Sequence, residues 1–250
     1  PPPLPPGKAW RLLRVLYGTI QAPRAWHLEV KQHINAWGFQ DAGFEGTVYF
    51  KQEADGTYMM LVLYVDDLLI FHNNKAKSEE FKDYLRQKYK LTDEGDLKWH
   101  LGIRYARDRE NKVIYCDQET AIDKLLEKQG FSWCNPKHTP MTPGVHLTAD
   151  DCPAEVDEVR AKWYQEVVGV LRHLADFTRP DLQYTTSELA RFSANPGPSH
   201  EEAVKHTLRY LAGSKHWRMR FDGSDGLNLH GYTDSDLSLI HISEPTRRTP

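Results

Sequence analysis

Apolar and polar positions follow two rhythms along this chain, and the change of rhythm divides it. Between residues 48 and 115 the apolar residues fall in short β-rich runs at 48–50, 58–65, 68–71, 97–103 and 113–115. Short runs bounded by turn residues read as strands, and Asp55-Gly56 supplies a turn between the first two. Helical spacing is interleaved with them. Ala25, Leu28, Ile34 and Trp37 recur on one face, with Gly38 as the stop. Phe81, Tyr84, Leu85 and Tyr89 do so behind Ser78, the expected cap. A further helix is expected over 118–128, ending at Gly130. The stretch 135–153 carries four prolines and no periodicity, and reads as a linker or a loop-rich domain border. Beyond it helices are expected over 156–178, 184–193 and 201–211. Strands dominate the first half and helices the second, which predicts an α+β architecture. The pattern predicts that 45–71 and 97–116 form one antiparallel sheet, with helices 25–37 and 78–89 on one face.

One polar pair breaks the apolar ribbon. Asp66 and Asp67 stand between the seven apolar residues 59–65 and the four apolar residues 68–71, with no Lys or Arg inside the ribbon. This pattern reads as a hairpin with largely buried strands and the carboxylates at its tip. Two ionised carboxylates side by side in such a place are costly unless a cation joins them. Their oxygen ligands suit Mg²⁺ or Mn²⁺. A solvent-facing Asp-Asp turn is the alternative, because Asp is a common turn residue.

Composition narrows the setting. The 250 residues are 40% hydrophobic with a net charge of −3, and no apolar run reaches the length of a membrane span. No signal-peptide pattern opens the chain, and the first six residues, five of them proline, form an extended lead-in. With no initiator Met, an internal fragment is expected. Charge is uneven: Lys8, Arg11, Arg14, Arg24 and Lys31 face only Glu29 within residues 1–37. Lys205, Arg209, Lys215, Arg218 and Arg220 face Glu201 and Glu202 within 198–220. Such segments either contact phosphates or form solvated faces. Cys116, Cys134 and Cys152, each 18 residues apart, are few and odd in number, and read as reduced thiols of an intracellular protein. Cys134, His138, His146 and Cys152 lack the compact pair spacings of a zinc site.

Several segments together resemble the reverse transcriptases of Ty1/Copia-type retrotransposons. The run Tyr17-Gly18-Thr19-Ile20-Gln21-Ala22-Pro23-Arg24-Ala25-Trp26 is similar to that family's YGLKQAPRAW segment, and Tyr64-Val65-Asp66-Asp67 to its YVDD hairpin. Leu101-Gly102-Ile103 resembles the FLG primer-grip strand. Thr139-Pro140-Met141, Val168-Gly169-Val170-Leu171, Thr178-Arg179-Pro180-Asp181 and Leu208-Arg209-Tyr210-Leu211-Ala212-Gly213 also match. Gly231-Tyr232-Thr233-Asp234-Ser235-Asp236 is similar to the start of a ribonuclease H domain.

The resemblance implies a partial palm over 7–104, an antiparallel sheet with helices on one face. It also implies thumb and linker over 105–150, a helical connection over 151–222 and a first ribonuclease H strand over 226–236. It implies an RNA-directed DNA polymerase in which Asp66 and Asp67 hold Mg²⁺ or Mn²⁺ for in-line phosphoryl transfer. Val65 would lie beside the primer terminus, Tyr64 with it among the nucleotide- and template-binding residues, and Tyr17 and Gly18 near the incoming nucleotide. Gln21 and Arg24 would meet the template strand, Leu101 and Gly102 the primer backbone, and Asp234 would be one acid of an incomplete hydrolytic site. The implied partners are RNA/DNA primer-template, deoxynucleotides and the rest of a Pol polyprotein, with no membrane. Departures exist. Thr19-Ile20 replaces Leu-Lys and removes a basic contact, and the family's third metal-binding Asp lies upstream of the first matched segment. Polymerisation by these residues alone is therefore not expected. Residues 237–250 fit nothing in the family and are expected to be a non-native tail. Two alternatives stand beside the polymerase: a non-catalytic relic that binds nucleic acid, and an unrelated metal-dependent hydrolase, for which only His72 lies near the Asp pair.

Overall fold

The computed structural model describes residues 7–8, 15–16, 18–43, 46–224 and 226. They form two compact units that divide between Leu97 and Lys98, so Leu101 and Gly102 belong to the second. Tyr17, Asp234 and the tail 237–250 lie outside the described residues. Both units mix helix with antiparallel sheet, as the two rhythms of the sequence require.

In the first unit α1 (Ala22–Ala36) precedes β1 (Gln40–Asp41), β2 (Val48–Gln52), β3 (Tyr58–Tyr64) and β4 (Asp67–His72), and α2 (Lys75–Arg86) follows. The strands form one antiparallel sheet in chain order. Alternation along β3 sends Met59, Leu61 and Leu63 into the core, where Tyr49 joins them. Val30 and Ile34 of α1 and Phe81 and Leu85 of α2 close this layer. Each such side chain contributes about 1.5–3 kcal/mol when fully buried. The hairpin strands were expected to be largely buried, but only one face is. Phe50, Tyr58, Met60, Tyr64 and Phe71 are exposed on the other. Asn74, rather than Ser78, caps α2, its side chain accepting from the Lys77 amide at 3.3 Å. Ser78 lies one turn inside the helix and is buried.

The second unit holds a separate sheet of β5 (Trp99–His100), β6 (Ile103–Asp108), β7 (Val113–Asp117) and β8 (Met219–Asp222), in that order. The expectation of one sheet uniting 45–71 with 97–116 is therefore corrected. The edges of β6 and β7 are taken within their own unit, β6 pairing with β5 across a two-residue turn and β7 with β8. Closing so short a loop costs little entropy, which favours the β5–β6 pairing, whereas β8 reaches β7 from far along the chain.

Helices α3 (Glu119–Gln129), α4 (Glu158–Phe177), α5 (Gln183–Ala190) and α6 (Pro198–Ser214) complete the second unit. Its core includes Ile122 and Leu125 of α3, Tyr164 and Leu171 of α4, Leu189 of α5 and Leu208 of α6. The proline-rich stretch does not behave as a free linker, because its first part is pinned along α6. The Lys137 amide donates to the Arg209 carbonyl, Arg209 Nε donates to the Asn135 carbonyl at 2.8 Å, and Thr207 Oγ1 donates to the Pro140 carbonyl at 3.0 Å. Gly213 makes this close approach possible, since a Cβ there would stand 2.8 Å from Pro136 Cβ.

The guanidinium of Arg179 is buried at the end of α4 and meets Asp181 with two hydrogen bonds of 3.0 and 2.7 Å. It also donates to the backbone carbonyl and hydroxyl of Ser214, while Tyr210 Oη donates to Asp181 at 2.7 Å. The matched segments around Arg179 and Tyr210 thus meet in one polar network. Among the described residues no helix is long and apolar enough to cross a membrane.

Candidate active site

The hairpin of β3 and β4 ends at the Tyr64–Asp67 pair, leaving Val65 and Asp66 as its two-residue turn. Asp67 therefore opens β4 rather than sharing the turn. Register places it beside Tyr64, on the sheet face away from the helices. Val65 has φ +53°, whereas Asp66 keeps a negative φ. Two-residue hairpins with only the first central residue at positive φ normally place Gly there, because its backbone tolerates that region. A β-branched residue in this conformation is strained by roughly 1–3 kcal/mol.

The turn is held from α1. Trp26 Nε1 donates to the Val65 carbonyl at 2.8 Å, across 39 positions of sequence. The turn itself faces water, with Val65, Asp66 and Asp67 all exposed. The carboxylates are thus not forced into an apolar interior, and their negative charge stands at a solvent-accessible tip. They offer hard oxygen donors of the kind Mg²⁺ takes when one or two carboxylates combine with substrate phosphates. Among the described residues, no cluster of three or more His, Cys, Asp or Glu side chains could hold a metal ion. The donor chemistry of the two carboxylates fits a divalent cation.

The other candidate residues take these places. Gly18 sits in the turn before α1 at φ +93°, and that conformation accounts for the glycine. Among the described residues, chain neighbours aside, no atom lies within 4 Å of a Cβ built there. Gln21 immediately precedes α1 and caps it without a side-chain bond. Arg24, in the first turn of α1, is exposed. Leu101 and Gly102 form the two-residue turn between β5 and β6, with φ +51° and +77°. They are a turn and not the strand that the resemblance suggested.

The basic segment 198–220 is largely engaged within the protein. Lys215 meets Asp123 at 2.7 Å, Arg218 meets Asp117 at 3.5 Å, and Arg220 pairs with Asp222. Its reading as a surface for phosphates is weakened accordingly. The structure thus brings together Tyr64, Val65, Asp66, Asp67 and the first turns of α1. Trp26, which closes the first matched segment, carried no role in the sequence reading. Its position at the end of that motif was the available signal.

The description "Reverse transcriptase (RNA-dependent DNA polymerase)" belongs to the family that matches residues 4–143, a span that includes Trp26, Asp66, Asp67 and Leu101. The chain belongs to the Ty1/Copia-type reverse transcriptases. This reverse transcriptase segment is 33% identical, over 91% of its length, to the retrovirus-related Pol polyprotein from transposon TNT 1-94 of Nicotiana tabacum, covering 17% of that protein. It is 32% identical, over 92% of its length, to the corresponding polyprotein from transposon RE1 of Arabidopsis thaliana, covering 15% of it. It is 27% identical, over 94% of its length, to the putative transposon Ty5-1 protein of Saccharomyces cerevisiae, covering 75% of it. The segment therefore spans about a sixth of the plant polyproteins it matches. No solved structure matches it.

Proposed function

We propose that this reverse transcriptase segment contributes the metal-holding hairpin of an RNA-directed DNA polymerase that adds deoxynucleotides to a primer. The observation that carries the reading is the exposed turn at Val65-Asp66, with Asp67 opening the next strand, fixed from α1. In this reading Asp66 and Asp67 hold Mg²⁺ or Mn²⁺ beside the primer terminus, and Tyr64 and Val65 border it. When bound, the ion supplies positive charge where the transferred phosphate and attacking 3′-oxygen need it. Gln21 and Arg24, at the start of α1, contact the template strand, with Arg24 suited to phosphate by its planar fork. Tyr17 and Gly18 approach the incoming nucleotide, and the Leu101-Gly102 turn braces the primer backbone.

We assign the first unit to a partial palm and the second to thumb and helical connection, with Asp234 as the first acid of a ribonuclease H domain. Its partners are then primer-template, deoxynucleotides and the rest of a Pol polyprotein, inside the cell. In this reading two carboxylates do not complete a two-metal site, so these 250 residues by themselves are expected not to extend a primer.

The test is primer extension on an RNA template with Mg²⁺ and deoxynucleotides. A Pol polypeptide that adds a palm strand with a third carboxylate extends the primer, and the 250-residue chain does not. Its affinity for the duplex falls steeply with salt, because the contacts are to phosphate. No extension by the longer polypeptide, or equal duplex affinity at low and high salt, overturns the reading.

A further inference from the structure

We propose that Trp26 is a positioning residue whose indole N–H, by holding the Val65 carbonyl, sets the direction in which Asp66 is presented. This rests on the reading of Asp66 as a metal ligand.

The turn supplies the first argument. Val65 holds a φ of +53° that its branched side chain disfavours. Strained backbone of this kind persists only where the surroundings over-determine it. The carbonyl that Trp26 grips belongs to Val65 itself, and so to the peptide unit joining Val65 to Asp66. Rotation of that unit changes Val65 ψ and Asp66 φ, and would swing the Asp66 carboxylate. A donor fixed 2.8 Å away opposes that rotation.

The donor is itself held in place. Tyr89 meets the Trp26 ring edge-on, with centroids 5.2 Å apart and planes at 71°. Tyr89 meets His33 of α1 in the same manner at 5.6 Å, and its hydroxyl reaches Glu29 Oε1 at 3.5 Å. Burial, helped by Glu29, pushes the Tyr89 hydroxyl up to about 12, so it stays a neutral donor at physiological pH. The indole is thus set on one helix and braced by a residue beyond the end of α2. Phenylalanine would fill much of the same space but has no N–H to give. Tryptophan is the side chain that supplies both the apolar body and the donor.

The test separates the tether from the chemistry. In the chain itself, Trp26→Phe is expected to speed amide exchange at Tyr64 to Asp67 by roughly fivefold relative to Leu61 in mid-strand, the effect of one hydrogen bond. A general packing role for Trp26 would speed exchange along α1 and at Leu61 as much as at the tip, and that result overturns the proposal. In the longer, active Pol polypeptide, Trp26→Phe is expected to slow nucleotide addition by about tenfold to a hundredfold while duplex affinity stays constant. Faster tip exchange with an unchanged addition rate, when Asp66→Asn is inactive, overturns the role in catalysis. If Asp66→Asn is itself active, the reading of Asp66 falls and the proposal falls with it.

Discussion

In a Pol polypeptide that extends primers, Asp66→Asn is expected to lower the rate of nucleotide addition by roughly a thousandfold or more, while primer-template affinity stays within about twofold. Asparagine keeps the size of the side chain and its fit in the turn, and removes only the charge. Asp66 is exposed at the tip, so folding is expected to change by no more than about 0.5 kcal/mol. The loss would then belong to the reaction, in which positive charge must stand beside the transferred phosphate. Asp67→Asn should also slow addition, though by less if Asp67 meets a single ion. Single-turnover extension, with duplex affinity measured separately, checks both. A near-normal rate in Asp66→Asn would make the pair an ordinary solvent-facing turn.

The second large effect lies far from the hairpin in sequence. Arg179→Met is expected to destabilise the second unit by about 1–3 kcal/mol, because it removes the donor shared by Asp181 and the Ser214 carbonyl and hydroxyl. The guanidinium lies over the rings of Tyr210 and Trp217, 5.5 Å from each centroid, so its loss also leaves a gap.

The same network carries a pH signature. Burial pushes the Asp181 carboxyl up, but hydrogen bonds from Arg179 and Tyr210, with the Arg179 charge, outweigh it and hold the carboxyl below its ordinary value. A carboxylate with a lowered folded pKa contributes stability that is complete above the unfolded value of about 3.9 and lost as pH falls through the folded one. Urea unfolding of the intact chain should therefore show this contribution fading below about pH 4. Arg179→Met should show a shallower acid dependence. An Arg179→Met transition matching that of the parent chain would mean the network adds nothing to folding.

Much of the first unit was legible because one rhythm dominates each element. The apolar run over 58–64 names β3 and the interruption at Asp66 names its end, but with every position apolar it does not mark Met59, Leu61 and Leu63 as the buried face. What stayed hidden was non-local. Which edge each strand pairs with depends on loop closure and on β8, more than a hundred residues beyond β7, and no local pattern records that. Ser78 and Asn74 are both good caps by residue type, and only the helix start chooses between them. The docking of 135–140 on α6 was invisible because prolines carry no periodicity, while Gly213 gave a hint readable only with Pro136 beside it.

The site divides in the same way. Asp66 and Asp67 announce themselves by charge inside an apolar ribbon. The strain at Val65 and the grip of Trp26 arise only when residues 39 apart are brought together. The basic residues of 198–220 looked available in sequence because their partners Asp117 and Asp123 come from far upstream.

The central claim is that the carboxylates at this turn gather a divalent cation, and Mn²⁺ titration of the isotopically labelled chain tests it most directly. Paramagnetic broadening should appear first at the amides of Val65, Asp66 and Asp67. It should vanish from them in the Asp66→Asn, Asp67→Asn double variant while the rest of the spectrum is preserved. Broadening spread evenly over the acidic surface, or centred on Asp150 and Asp151 with the hairpin untouched, would contradict the account.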